Sequence, residues 1–132
     1  MWLFTTYGFF SIVAHASKPG GLLVRARTLQ DLAALRKQIV LVSGTDIADL
    51  DIYETEEADY PYRLTVGREA LASVAANELL TMTATNFKKA VSAKDPARAH
   101  LYTRIWWELK SALNPYQLNF FGEADERTSV TP

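Results

Sequence analysis

The chain has 132 residues with 48% hydrophobic and 22% charged content, enough for one packed core and too apolar for wholesale disorder. It holds no cysteine, which excludes disulfides, thiolate metal sites and cysteine nucleophiles and suits a reducing compartment. The net charge of −1 conceals a segregation: seven acids and no base from Asp46 to Asp59, a net −2 from Glu123 to Arg127, and therefore +8 on everything else. Local charge, not the sum, then governs partners.

The first sixteen residues, MWLFTTYGFFSIVAHA, end like a secretory cleavage site, but no positive charge precedes the apolar run. Their Thr, Tyr, Phe, Ile and Val content favours a strand, and no stretch reaches the roughly 18 apolar residues of a membrane span. These readings predict a cytoplasmic protein with no membrane partner. Residues 2–14 read as one long strand, or two short ones bent at Gly8. Trp2, Phe4, Phe10 and Ile12 would share one face, with Leu3, Phe9 and Val13 on the other. A strand apolar on both faces sits centrally or pairs with a partner chain.

Lys18-Pro19-Gly20-Gly21 is a turn by composition. Alternation from Leu22 to Arg27 then puts Leu22, Val24 and Ala26 on one face and Leu23, Arg25 and Arg27 on the other, giving a hairpin with a basic stripe. Thr28 is an N-cap, with Asp31 near the positive end of a first helix whose buried stripe is Leu29, Leu32, Leu35 and Ile39. Residues 39–42 read as a short strand, and residues 43–59 as a long acidic connection with a short helix over Ile47, Leu50 and Tyr53. Residues 60–66 form a strand with Pro61 at its start or on an edge.

A second helix follows over 68–80, with Leu71, Val74, Ala75 and Leu79 on one face. Asn86 caps a short helix carrying Phe87, Ala90 and Val91. Asp95-Pro96 opens the best-defined helix, with Tyr102, Ile105, Trp106, Leu109 and Leu113 inward. The order β-β-α-β-β-α-α predicts an α+β fold: an antiparallel sheet with helices packed on one face, in a ferredoxin-like topology. Residues 1–113 would form a single domain, and residues 114–132 a loosely held acidic tail whose apolar residues are Tyr116, Leu118, Phe120 and Phe121.

The opening WLFTTYGFFSIV, the LLVRAR strand, DYPYR at 59–63, NFKKAV at 86–91 and Arg98-x-His100-x-Tyr102-x-x-x-Trp106 resemble a family of short bacterial proteins with no established function. The resemblance covers most of residues 2–110 and implies no particular activity or cofactor. The acidic connection before DYPYR is longer than the family pattern, and the tail is an addition to it.

Arg25 and Arg27 at spacing two, with Arg63 on a second strand, suit bidentate capture of phosphate or carboxylate. The plain alternative is a solvated sheet face partly paired with Asp31 or the acidic connection. Tyr60 and Tyr62, with Tyr7 and Phe9, interleave aromatics among these cations, an arrangement that stacks bases while the arginines hold phosphates; aromatics also simply build cores. Asn86 and Lys88 place an amide and an ammonium group at a helix N-terminus, where anions bind, although capping and solvated lysines explain both. His100, Arg104 and Trp107 lie on the outer face of the last helix. Trp107 is either an anchor for a partner surface or covered by Phe120 and Phe121. Arg98, on the inner side, needs an acid or carbonyl partner.

Catalytic and metal signals are thin. The two histidines, His15 and His100, make no His-x-x-x-His pair, Ser43-Gly44-Thr45 lacks the lysine of a phosphate loop, and the acids at 46, 49 and 51 lack calcium-loop spacing. No catalytic residue, metal ligand or cofactor is assigned. The leading expectation is a non-enzymatic cytosolic binding protein that engages nucleic acid or an acidic protein surface through an Arg/Tyr sheet face. A protein–protein or homo-oligomer module using the first strand or Trp107 is the alternative, and a small enzyme with a His100, Tyr102 and Arg98 pocket is third.

Overall fold

The computed structural model describes residues 1–114; the expectations for Tyr116, Leu118, Phe120, Phe121 and the acidic tail lie outside the described residues. The chain divides into two compact units, one over Met1–Phe87 and one from Lys88 onward.

The first unit is a five-stranded antiparallel sheet with two helices on one face. Strand β1 (Trp2–Phe4) turns back into β2 (Phe9–Ala14), which forms a hairpin with β3 (Gly21–Ala26). Helix α1 (Leu29–Ser43) leads through a 3-10 turn at Ile47–Asp49 to β4 (Ile52–Glu54) and β5 (Tyr62–Gly67), and α2 (Arg68–Leu80) closes the unit. The strand order is β1-β2-β3-β5-β4. Because β5 is antiparallel to both β3 and β4, β3 and β4 run parallel with β5 between them, the split β-α-β unit of ferredoxin-like sheets. The place beside β3 that the last strand takes in those sheets is filled here by β2, from the other end of the chain. This is a permuted arrangement, extended at its edge by β1.

Alternation builds the core. Phe10, Ile12, Val24, Ala26, Leu64 and Val66 point to the helix side and pack against Leu32, Leu35, Ile39, Leu71 and Val74. Each fully buried large side chain contributes roughly 1.5–3 kcal/mol. Thr28 caps α1 by accepting from the Asp31 amide, and the buried Asp31 carboxylate accepts from the Phe9 amide at 3.0 Å. The start of α1 is thereby tied to the start of β2.

Four local readings change. Residues 2–14 form two strands, but the chain reverses between them, so parity does not carry across Gly8: Trp2 pairs with Ser11 and Phe4 with Phe9, while Leu3, opposite Phe10, faces the helices. A Cβ at Gly8 would collide with the Phe10 ring, so glycine lets that ring lie under the turn. Residues 39–42 are helical. The β-branched run favours a strand locally, but Ile39 continues the buried stripe, and Gly44, at φ 73°, ends α1 by donating to the Val40 carbonyl.

The missing strand lies in the acidic segment instead. Ile52 pairs with Leu64 and packs on the core, while acids at 51 and 54 flank an edge that stays guarded against further pairing. In the second unit, α3 (Phe87–Lys94) precedes α4 (Pro96–Leu113), whose Asp95 cap accepts from the Arg98 amide. The apolar stripe of α4 is buried only at Ala99 and Tyr102; Trp106, Leu109 and Leu113 are exposed. Among the described residues, no helix is long and apolar enough to cross a membrane.

Candidate functional site

The sheet face turned away from α1 and α2 carries the residues of opposite parity. Register places five of them in one transverse row, one per strand: Trp2 opposite Ser11, Ser11 opposite Arg25, Arg25 opposite Arg63, and Arg63 opposite Tyr53. With strands about 4.8 Å apart, four steps put the two end aromatics about 19 Å apart. Trp2 is 67% exposed and Tyr53 46%, whereas Ser11, beside Trp2, is buried. The row has open aromatic ends and a cationic middle.

Two guanidinium groups on directly opposed positions repel each other. Arg25 donates from Nη2 to Ser11 Oγ at 2.7 Å and lies over the Tyr60 ring, 5.2 Å from its centroid. Its Nε is buried with no hydrogen-bond partner, so most of its five donors are not engaged by the protein. Arg63 donates from Nε to the Tyr60 carbonyl at a long 3.4 Å. Among the described residues neither arginine pairs with a carboxylate. Arg27 differs: it stacks 4.7 Å from the Tyr60 centroid and 5.9 Å from that of Phe9, and it pairs with Asp59 at 3.1 Å. The acidic segment therefore engages one of the three arginines.

Tyr60 is only 8% exposed and serves as the platform under Arg25 and Arg27. Phe9 joins it to the first strand: Phe9 lies 6.3 Å from Tyr60, 4.6 Å from Phe4 in a stacked pair, and 5.8 Å from Trp2 edge-on. Tyr62 does not join this group. It pairs with Ala26 and packs against the core on the helix side. β5 begins only at Tyr62 after Pro61, so the two tyrosines lie on opposite faces despite equal parity. Tyr7, in the turn, also packs on the core. Burial of its phenol, then the negative charge of Glu78, raises its pKa to about 12, with Thr5 offsetting part of the rise.

The remaining predicted residues belong to the second unit or border it. Asn86 is exposed and precedes α3. The Lys88 ammonium lies 3.9 Å from the Trp106 centroid, and Lys110 lies 5.2 Å from it and 5.5 Å from that of Trp107. Lys88 thus rests on an indole. Arg98 has the acid partner its sequence position demands, Asp95 at 3.4 Å, and donates to the Tyr102 hydroxyl at 3.3 Å. His100 is exposed while Tyr102 is buried; the two point to different sides of α4 and do not line one pocket. Trp107 is 57% exposed, and its expected cover, Phe120 and Phe121, lies outside the described residues. No cluster of three metal-ligating side chains occurs among the described residues.

Trp2, Ser11 and Tyr53 were not singled out by sequence reasoning. Ile52-Tyr53 carries the in-out alternation that marks a strand, but the surrounding acids masked it. Fold and face define an α+β protein with a cationic, aromatic-edged open sheet. Comparison of the chain with family models, with curated proteins and with solved structures gives no match.

Proposed function

We propose that this protein is a non-enzymatic binding module of the cytoplasm that holds an anionic macromolecule on the open sheet face, with Arg25 and Arg63 as the anion ligands. The observation that carries the reading is their register: two arginines at directly opposed positions, neither paired with a carboxylate among the described residues. Such an arrangement costs stability until an outside anion supplies the missing charge. Arg27, held by Asp59, is a secondary contact released when a stronger anion competes.

Gel shifts and anisotropy titrations with oligonucleotides and with polyglutamate, run as a salt series, test it. Binding should weaken steeply with salt and be lost in Arg25→Ala and Arg63→Ala proteins that keep their fold. Absence of any binding at low ionic strength removes the proposal.

A second reading rests on α4, where Trp106, Trp107, Leu109 and Leu113 are exposed together. Exposed tryptophans are favoured anchors for protein partners. Light scattering of wild type and Trp107→Ala examines it; identical monomers leave that helix without a role in self-association.

A further inference from the structure

We infer that the ligand of the open face is a single-stranded nucleic acid, laid across the strands along the Trp2–Ser11–Arg25–Arg63–Tyr53 row, with phosphates on the two arginines and bases stacked on the two end aromatics. This rests on the anion-binding reading and narrows it. An acidic protein surface would use the arginines alone and leave exposed indole and phenol rings at both ends of the row unused. A base presents a flat π-face that stacks on such rings whatever its identity.

In a duplex those faces are occupied by neighbouring bases, so a double helix offers this row only its phosphates. The flank of the row also disfavours a duplex. β4 carries Glu54 beside Asp51, and Glu56, Glu57 and Asp59 follow. A broad phosphate lattice centred on Arg63 would lie against these carboxylates, whereas a narrow strand ending on Tyr53 stops short of most of them. The length fits as well. A stacked strand advances 3.4 Å per nucleotide, so about 19 Å corresponds to at most roughly six nucleotides, and fewer when the bases are splayed.

The chemistry separates into two contributions. The arginines supply salt-dependent, sequence-independent affinity; two to three phosphate contacts on a single strand give a slope of log K against log salt of about −1.4 to −2.1. Trp2 and Tyr53 supply a contribution that depends on the presence of bases. Both rings lie on the two edge strands and are exposed, Trp2 more than Tyr53, so their removal should leave the fold standing.

The test uses four fluorescent probes on the full chain: oligothymidylate, oligouridylate, an abasic phosphodiester strand of the same length, and polyglutamate. Either base-bearing strand should bind at least tenfold tighter than the abasic strand, and comparing the two shows which sugar is preferred. Trp2→Ala and Tyr53→Ala should each weaken base-bearing strands about tenfold or more and leave the abasic strand unchanged, with thermal melts confirming the fold. Trp2→Phe should restore most of the loss. Equal binding of base-bearing and abasic strands, or tighter binding of polyglutamate, overturns the single-strand inference while leaving anion binding intact. If none of the four probes binds at low salt, the anion-binding reading fails and this inference with it.

Discussion

Reversing one charge in the opposed arginine pair should change stability with a sign that depends on salt. Arg25 and Arg63 occupy directly facing positions, where like charges destabilise and opposite charges stabilise by a few tenths of a kcal/mol or more. Arg63→Glu replaces a repulsion of about 0.5 kcal/mol by an attraction of similar size, a gain of about 1 kcal/mol. It also loses the bond from Arg63 Nε to the Tyr60 carbonyl, which at 3.4 Å is long and lies at the weak end of the usual range, about 0.5 kcal/mol.

The net expectation is a stabilisation of about 0.5 kcal/mol at low ionic strength, a rise in Tm of roughly 1–3 °C. At about 1 M salt the screening length falls to about 3 Å, the charge contribution disappears, and the same variant becomes about 0.5 kcal/mol less stable than wild type. Arg63→Gln, which removes the repulsion without adding attraction, should be near neutral at low salt. Urea unfolding of the three proteins across a salt series reads all of this. An Arg63→Glu protein that is less stable at low salt, by an amount salt does not change, would show that the pair is not under electrostatic tension. Arg25 and Arg63 would then have no unmet charge for an outside anion to satisfy.

Asp59→Asn should strengthen anion binding severalfold by freeing Arg27 and change stability little, since that pair is exposed; unchanged affinity in the same titration means Arg27 takes no part. Gly8→Ala should destabilise by about 1–3 kcal/mol in urea unfolding, because the added methyl meets the buried Phe10 ring, and a neutral outcome would contradict the packing of that turn. Tyr7 gives a pH signature. Its phenol titrates near 12 in the folded protein against 10.0 for the ordinary group, so between these values the unfolded chain ionises first and stability falls as pH rises. The full difference corresponds to ~2.7 kcal/mol, reduced to about 1 kcal/mol because the ring is partly exposed. Tyr7→Phe should flatten this alkaline slope in thermal melts and, since the hydroxyl is buried with at most a weak contact to Thr5, change stability little at neutral pH.

Much of the architecture follows from short-range chemistry that one chain displays openly. The alternation from Leu22 to Arg27, the Thr28 and Asp95 caps, Pro96 at the first turn of α4 and the buried positions Leu32, Leu35 and Ile39 of α1 and Leu71 and Val74 of α2, though not the exposed Leu29 and Leu79 at the ends of those stripes, all depend on residues a few positions apart. They read correctly because each device acts within one element. The α+β class belongs to the same category.

The misread segments are those where neighbours far along the chain outvote local preference. Residues 39–42 favour a strand by composition, yet extending the buried stripe of α1 gains more. Ile52–Glu54 favours a loop by composition, yet β5 offers Ile52 a place on the core. The candidate row shows the division most clearly. Parity alone put Trp2 and Arg25 on faces that could not be related, because a turn of unknown length separated them. Register is a property of strand pairs, settled by which side chains fit the core together, and it is register that aligns an indole, a hydroxyl, two guanidinium groups and a phenol drawn from five strands.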